Sequence, residues 1–75
     1  MKIQVLFFAS LKDHFGVDSQ SLIFDEPVSV RQVVEILRVD AFPLLFAINE
    51  SYVDGSAILK DGDDLALLMP VSGGA

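Results

Sequence analysis

Residues 29–39 read SVRQVVEILRV, and no other stretch of the chain constrains its fold as tightly. Ser29 stands where an N-cap belongs, and Gln32 three positions later completes a capping box, in which each side chain satisfies a backbone amide that the first turn leaves unpaired. Val30, Val33, Val34 and Leu37 then recur at i, i+3, i+4 and i+7, while Arg31, Gln32, Glu35 and Arg38 take the opposite side. A helix with one apolar stripe must bury that stripe. In a chain of 75 residues, long enough for one domain that buries about 60% of its unfolded surface, the rest of the sequence has to supply the cover.

That cover reads as strands. In KIQVLFF, Ile3, Val5 and Phe7 alternate with Lys2, Gln4, Leu6 and Phe8, the period-2 pattern of a strand with one face on a core. The inward set is Ile3, Val5 and Phe7, which turns Leu6 and Phe8 outward. SLKDHFG follows as a turn or short helix, with Leu11 and Phe15 four apart and Gly16 placed to end it in a left-handed conformation. SLIF at 21–24 predicts a second strand, closed by a turn through Asp25, Glu26 and Pro27. Beyond the central helix, Pro43 blocks further helix. LLFAINESYV predicts a strand, a polar turn at Asn49 to Ser51 and a return strand through Tyr52 and Val53. Asp61-Gly62-Asp63 makes a tight turn before a last strand from Leu65 to Met69, which Pro70 ends because it has no amide hydrogen for a ladder. The predicted class is α+β, a mixed sheet packed against one main helix in the order of a ubiquitin-like β-grasp, with the domain at 1–69 and a flexible C-terminal tail at 70–75.

Hydrophobic residues make up 52% of the chain against 21% charged, the profile of a sequence that folds alone. Cysteine is absent, which excludes disulfides, thiolate metal clusters and a side-chain thiol nucleophile, and fits a reducing cytoplasm. The apolar N-terminal run is short, interrupted by Gln4 and without a small-residue cleavage site, so neither a signal peptide nor a membrane span is expected. Net charge is -6, and the five basic residues, Lys2, Lys12, Arg31, Arg38 and Lys60, are scattered. Nucleic acid is not an expected partner, since backbone binding needs a clustered positive patch. A basic protein partner suits the charge better.

Side-chain chemistry is sparse. His14 is the single histidine and has no sequence neighbour for a metal site or a triad. Asp61 to Asp64 are acidic but lack the spacing of a calcium loop and its distal glutamate. Ser10, Ser29, Ser51 and Ser72 lie in no G-x-S-x-G elbow, and no Lys-Ser or helix start follows Gly73-Gly74 to make a phosphate loop. The chain lacks the parts of an autonomous enzyme.

What remains is the ending. VLFFASL near the start, FAINESYV with LKDGDDLAL in the middle, and PVSGG near the end together resemble the small subunits of molybdopterin synthase, the MoaD-like family of ubiquitin-fold sulfur carriers, over essentially the whole chain. The PVSGG block is the most specific of these signals. It also separates the family from the related thiamine-pathway carriers. The resemblance implies a protein whose reactive group is its own C-terminal carboxyl, adenylated and then converted to a thiocarboxylate that donates sulfur to the dithiolene of molybdopterin. It implies no bound cofactor, with ATP consumed by an E1-like adenylating enzyme, a sulfur donor protein upstream, and a large synthase subunit as the acceptor's home in an assembly of two small and two large subunits. In that reading the chain is a non-catalytic, sulfur-donating subunit.

The physical chemistry of the ending agrees. A carboxylate is a poor electrophile, whereas an acyl-adenylate has AMP as its leaving group. Gly73 and Gly74 carry no Cβ and can thread a narrow channel. Pro70 to Ala75 reaches roughly 20 Å at full extension, with Pro70 stiffening its base and Val71 and Ser72 between. Leu6 and Phe8 on the first strand, with Leu68 on the last, are the expected partner-binding surface, and open strand edges offer docking by strand addition. One departure stands out: the family pattern ends at the second glycine, but Ala75 follows here, so Gly74 is expected to become the working terminus once Ala75 is lost. The alternatives are a thiamine-pathway sulfur carrier, the nearest relative, a ubiquitin-like protein modifier, which shares every requirement of the tail, and an interaction module of the same fold, which needs no reactive end.

Overall fold

The structure is a computed structural model of the chain, and residues 1–70 are described. Five strands and two helices follow one another: β1 (Lys2–Phe7), α1 (Ser10–Phe15), β2 (Ser19–Ile23), α2 (Val30–Ile36), β3 (Leu45–Ile48), β4 (Ser51–Val53) and β5 (Asp64–Leu68). The strands form one mixed sheet in the order β2-β1-β5-β3-β4. β1 and β5, the first and last strands, pair in parallel at its centre, and every other pairing is antiparallel. This is the ubiquitin-like β-grasp that the order of elements predicted.

The alternation in β1 resolves as read. Ile3, Val5 and Phe7 are buried, and they join Leu65 and Leu67 of β5 in a core closed by Val30, Val33 and Val34 of α2 and Leu11 of α1. Phe15 of α1 stacks on Phe7 with ring centroids 4.2 Å apart. Gly16 ends α1 at φ 75°, the left-handed cap that its position implied. The capping box of α2 is present in both directions: Gln32 N donates to Ser29 Oγ at 3.2 Å, and Ser29 N donates to Gln32 Oε1 at 2.8 Å.

Several boundaries differ from the sequence reading. β2 begins two residues earlier than Ser21 and ends at Ile23, because its start is set by pairing with Leu6 across the hairpin and not by the apolar run. α2 stops at Ile36 with Leu37 as C-cap, and Arg38 turns left-handed at φ 61°, so Arg38 does not extend the helix's wet face. That reversal tucks Val39 into the core, fully buried beyond the helix end. The sequence reading also passed over Leu59. It is fully buried, held from an irregular segment by its amide bond to Val28 O at 2.8 Å and by the neighbouring bridge of Ser29 to Ile58.

The turns carry the strain. Asn49 and Glu50 both have positive φ, at 49° and 73°, joining β3 to β4 in a two-residue hairpin whose twist matches the strands. Ala9, between β1 and α1, sits at φ 51° and ψ -125°, a conformation natural to glycine, and is spanned by a bond from Leu11 N to Phe8 O at 3.1 Å. No helix among the described residues is long and apolar enough to cross a membrane.

Candidate functional site

Only one face of the sheet is covered by the helices. On the other, pairing places Ser19, Leu6, Ala66, Ala47 and Tyr52 side by side across all five strands. One step toward the C-terminal end of β5, Leu68 lies opposite Leu45. Phe8 continues β1 toward the same end. None of Leu6, Leu45, Ala47, Ala66 or Leu68 belongs to the core cluster or packs against it. Leu6 and Leu68 are half-buried, Phe8 is 44% exposed and Leu45 47% exposed. Ala47 is buried although it points away from the core, a methyl sunk between larger neighbours.

The structure therefore brings Leu6, Phe8 and Leu68 together at one end of the uncovered face, and adds Leu45, Ala47, Ala66 and Tyr52, which the sequence reading missed. Alternation in LLFAINESYV already sets Leu45 and Ala47 opposite to Phe46 and Ile48. It does not say that β3 lies beside β5, and that adjacency joins them to Leu68.

The other end of the face is polar. Gln4 bridges two hydroxyls of β2, donating through Nε2 to Ser19 Oγ at 3.0 Å and accepting at Oε1 from Ser21 Oγ at 2.8 Å. Asn49 donates to Asp63 Oδ1 and accepts from Asp64 N, while Asp61 Oδ1 accepts from Lys2 N at 2.7 Å. These aspartates hold turns, and among the described residues no group of three or more His, Cys, Asp or Glu gathers as a metal would need. His14 packs edge-on against Phe15 and Phe42, at centroid distances of 5.0 and 5.7 Å. Asp54 accepts from the side chain and the amide of Ser56, bonds that hold its carboxyl below the usual range with help from nearby Arg31. The Asp18 carboxylate, bonded to Lys12 at 2.9 Å, raises that amine.

Parallel pairing fixes where the chain leaves. Phe7 lies beside Leu67, so β1 and β5 run out at the same edge, and Pro70 is exposed just past the apolar end of the open face. Val71, Ser72, Gly73, Gly74 and Ala75 lie outside the described residues.

A five-stranded sheet gripping one main helix, with an uncovered apolar face leading to the C-terminal segment, defines a ubiquitin-like β-grasp protein. Residues 5–74 match the ThiS family, and the chain belongs to that family. The molybdopterin synthase sulfur carrier subunit of Chlamydomonas reinhardtii is 32% identical over 84 aligned residues, covering 99% of this chain and all of the relative. A solved structure of a putative molybdopterin converting factor, subunit 1, from Pyrococcus furiosus superposes with a TM-score of 0.82 at 26% identity, covering 95% of this chain and 99% of that one. In Helicobacter pylori, a protein of 26% identity and TM-score 0.69, matched over 99% of this chain and its whole length, was solved as a complex of subunits 1 and 2 of molybdopterin-converting factor.

Proposed function

We propose that this protein is the sulfur carrier subunit of a molybdopterin synthase. The observation that carries the reading is the full-length likeness to a sulfur carrier subunit at 32% identity, joined to an apolar sheet face that ends where PVSGG begins. The folded body docks and the last residues react.

The working group is the carboxylate of Gly74. One of its oxygens attacks the α-phosphorus of ATP in an E1-like adenylating partner, and pyrophosphate leaves. Sulfur from a donor protein then attacks the acyl carbon, and AMP departs with the bonding electrons. With that sulfur delivered from a donor persulfide, the product is an acyl disulfide. A second thiol attacks the donor's own sulfur, a new disulfide forms, and the thiocarboxylate is released, which the large subunit's active site draws on to build the dithiolene. This chain binds no cofactor of its own, and works in the cytoplasm within an assembly of two small and two large subunits. The Helicobacter pylori complex of subunits 1 and 2 supports a large-subunit partner. The family match ends at residue 74, which supports Gly74 as the working terminus after loss of Ala75.

The test compares chains ending at Gly74 and at Ala75, each incubated with ATP, a sulfur source and the activating enzyme, by intact mass. The expected result is exchange of one oxygen for sulfur on the Gly74 form alone. No exchange on either form overturns the carrier reading, and equal exchange on both overturns the role of Gly74. Deleting the gene is expected to remove molybdenum-enzyme activity and leave thiamine synthesis intact.

A further inference from the structure

The β2 edge of the sheet carries none of the usual defences. Edge strands are normally blunted by lysine, proline, a bulge or a covering segment, because their free amides and carbonyls recruit other strands. β2 reads SQSLI, without charge or proline. Its register with β1 is unbroken over five residue pairs, and nothing among the described residues covers it.

The ladder says which groups are free. Met1 and Phe24 exchange both of their backbone bonds, and Phe7 N donates to Asp18 O, so the bonded pairs fall at Met1–Phe24, Ile3–Leu22, Val5–Gln20 and Phe7–Asp18. The alternate residues Ser19, Ser21 and Ile23 therefore aim amide and carbonyl away from β1, into the open. The serine hydroxyls are held flat by Gln4 and do not compete for these groups. Ile23, at 77% exposure, is the most exposed large apolar side chain described.

We infer that this edge pairs with the β2 edge of a second copy, antiparallel about Ser21. In that register Ser21 faces Ser21 and Ser19 faces Ile23, so each outward residue of both copies donates and accepts a backbone bond. The helices of the two copies fall on one side of a continuous sheet. In that register the Asp18 end of β2 meets the Asp25 and Glu26 end of the other copy, and Lys12, bonded to Asp18 at 2.9 Å, offsets that carboxylate there. The opposite edge, β4, is flanked by Glu50 and Asp54 and spans only three residues, so self-pairing there would oppose acid to acid. β5 lies two strands in from β2, roughly 10 Å away, which leaves Pro70 and the apolar end of the open face clear in the dimer.

The test is sedimentation of the full chain over a range of concentrations, with amide exchange followed residue by residue. A dimer is expected, with protection of Ser19, Ser21 and Ile23 amides that grows with concentration. Ser21→Pro deletes an outward amide that β1 does not use and is expected to weaken the dimer about tenfold. Ser21→Lys, which keeps the backbone intact, is expected to do the same, as is Lys12→Glu. A chain that stays monomeric at every concentration overturns the inference, as does a dimer that neither Ser21 variant weakens. So does protection of these three amides only when the large subunit is added, which would make the occupant a strand of that partner.

Discussion

At the scale of single residues, the least comfortable backbone among the described residues adjoins the uncovered face of the sheet. Ala9 occupies a conformation that costs a residue with a Cβ about 1–3 kcal/mol, in the turn that joins β1 to α1. Ala9→Gly is expected to raise stability by about 1 kcal/mol, read as a higher urea midpoint at unchanged slope. An unchanged or lowered midpoint would show that the turn carries no strain. Asp54 makes a pH prediction. Its carboxyl is held low by Ser56 and Arg31, so the charged form favours the fold above the ordinary aspartate range, about pH 4, and that contribution disappears as pH falls through the depressed value. Asp54→Asn should lower the melting temperature slightly at pH 7 and not at pH 2, in paired thermal melts. A difference that persists at pH 2 would assign the effect to lost hydrogen bonds instead of charge.

At the scale of elements, legibility followed how local the determinants are. The start of α2 could be read from Ser29, Gln32 and four apolar positions because a capping box and a stripe are complete within a few turns. Gly16 was equally readable, since a left-handed cap is a property of one residue. Leu59 was not. It has no periodic neighbours, and its burial depends on a backbone bond to a residue far back in the chain. Leu59→Ala is expected to cost roughly 2–5 kcal/mol, a large part of the stability of a domain this size, measured by chemical denaturation. A loss below 1 kcal/mol would mean that the segment collapses into the space. Leu45 and Tyr52 escaped the reading for a related reason: alternation sorts residues into two faces, but the neighbour that makes a face continuous is decided by strand order.

At the scale of the molecule, the uncovered face divides into an apolar half beside Pro70 and a polar half tied down by Gln4, Asn49 and the aspartate turns. A partner that takes hold of the apolar half has Pro70 at its margin. Leu45→Glu is expected to leave the melting temperature nearly unchanged, because the side chain packs on nothing in the core. The same change should weaken binding to the large subunit by tenfold or more, about 1.4 kcal/mol, in titration calorimetry. Full-strength binding by this variant would place the interface elsewhere.

The central position of β5 sets an order of events. β1 waits beside a vacancy that only β5, the last of the five strands to be made, can fill, and until then the hairpins β1–β2 and β3–β4 have no common partner. A chain cut short before β5 therefore forfeits its architecture, because β1 and β3 then have no strand between them.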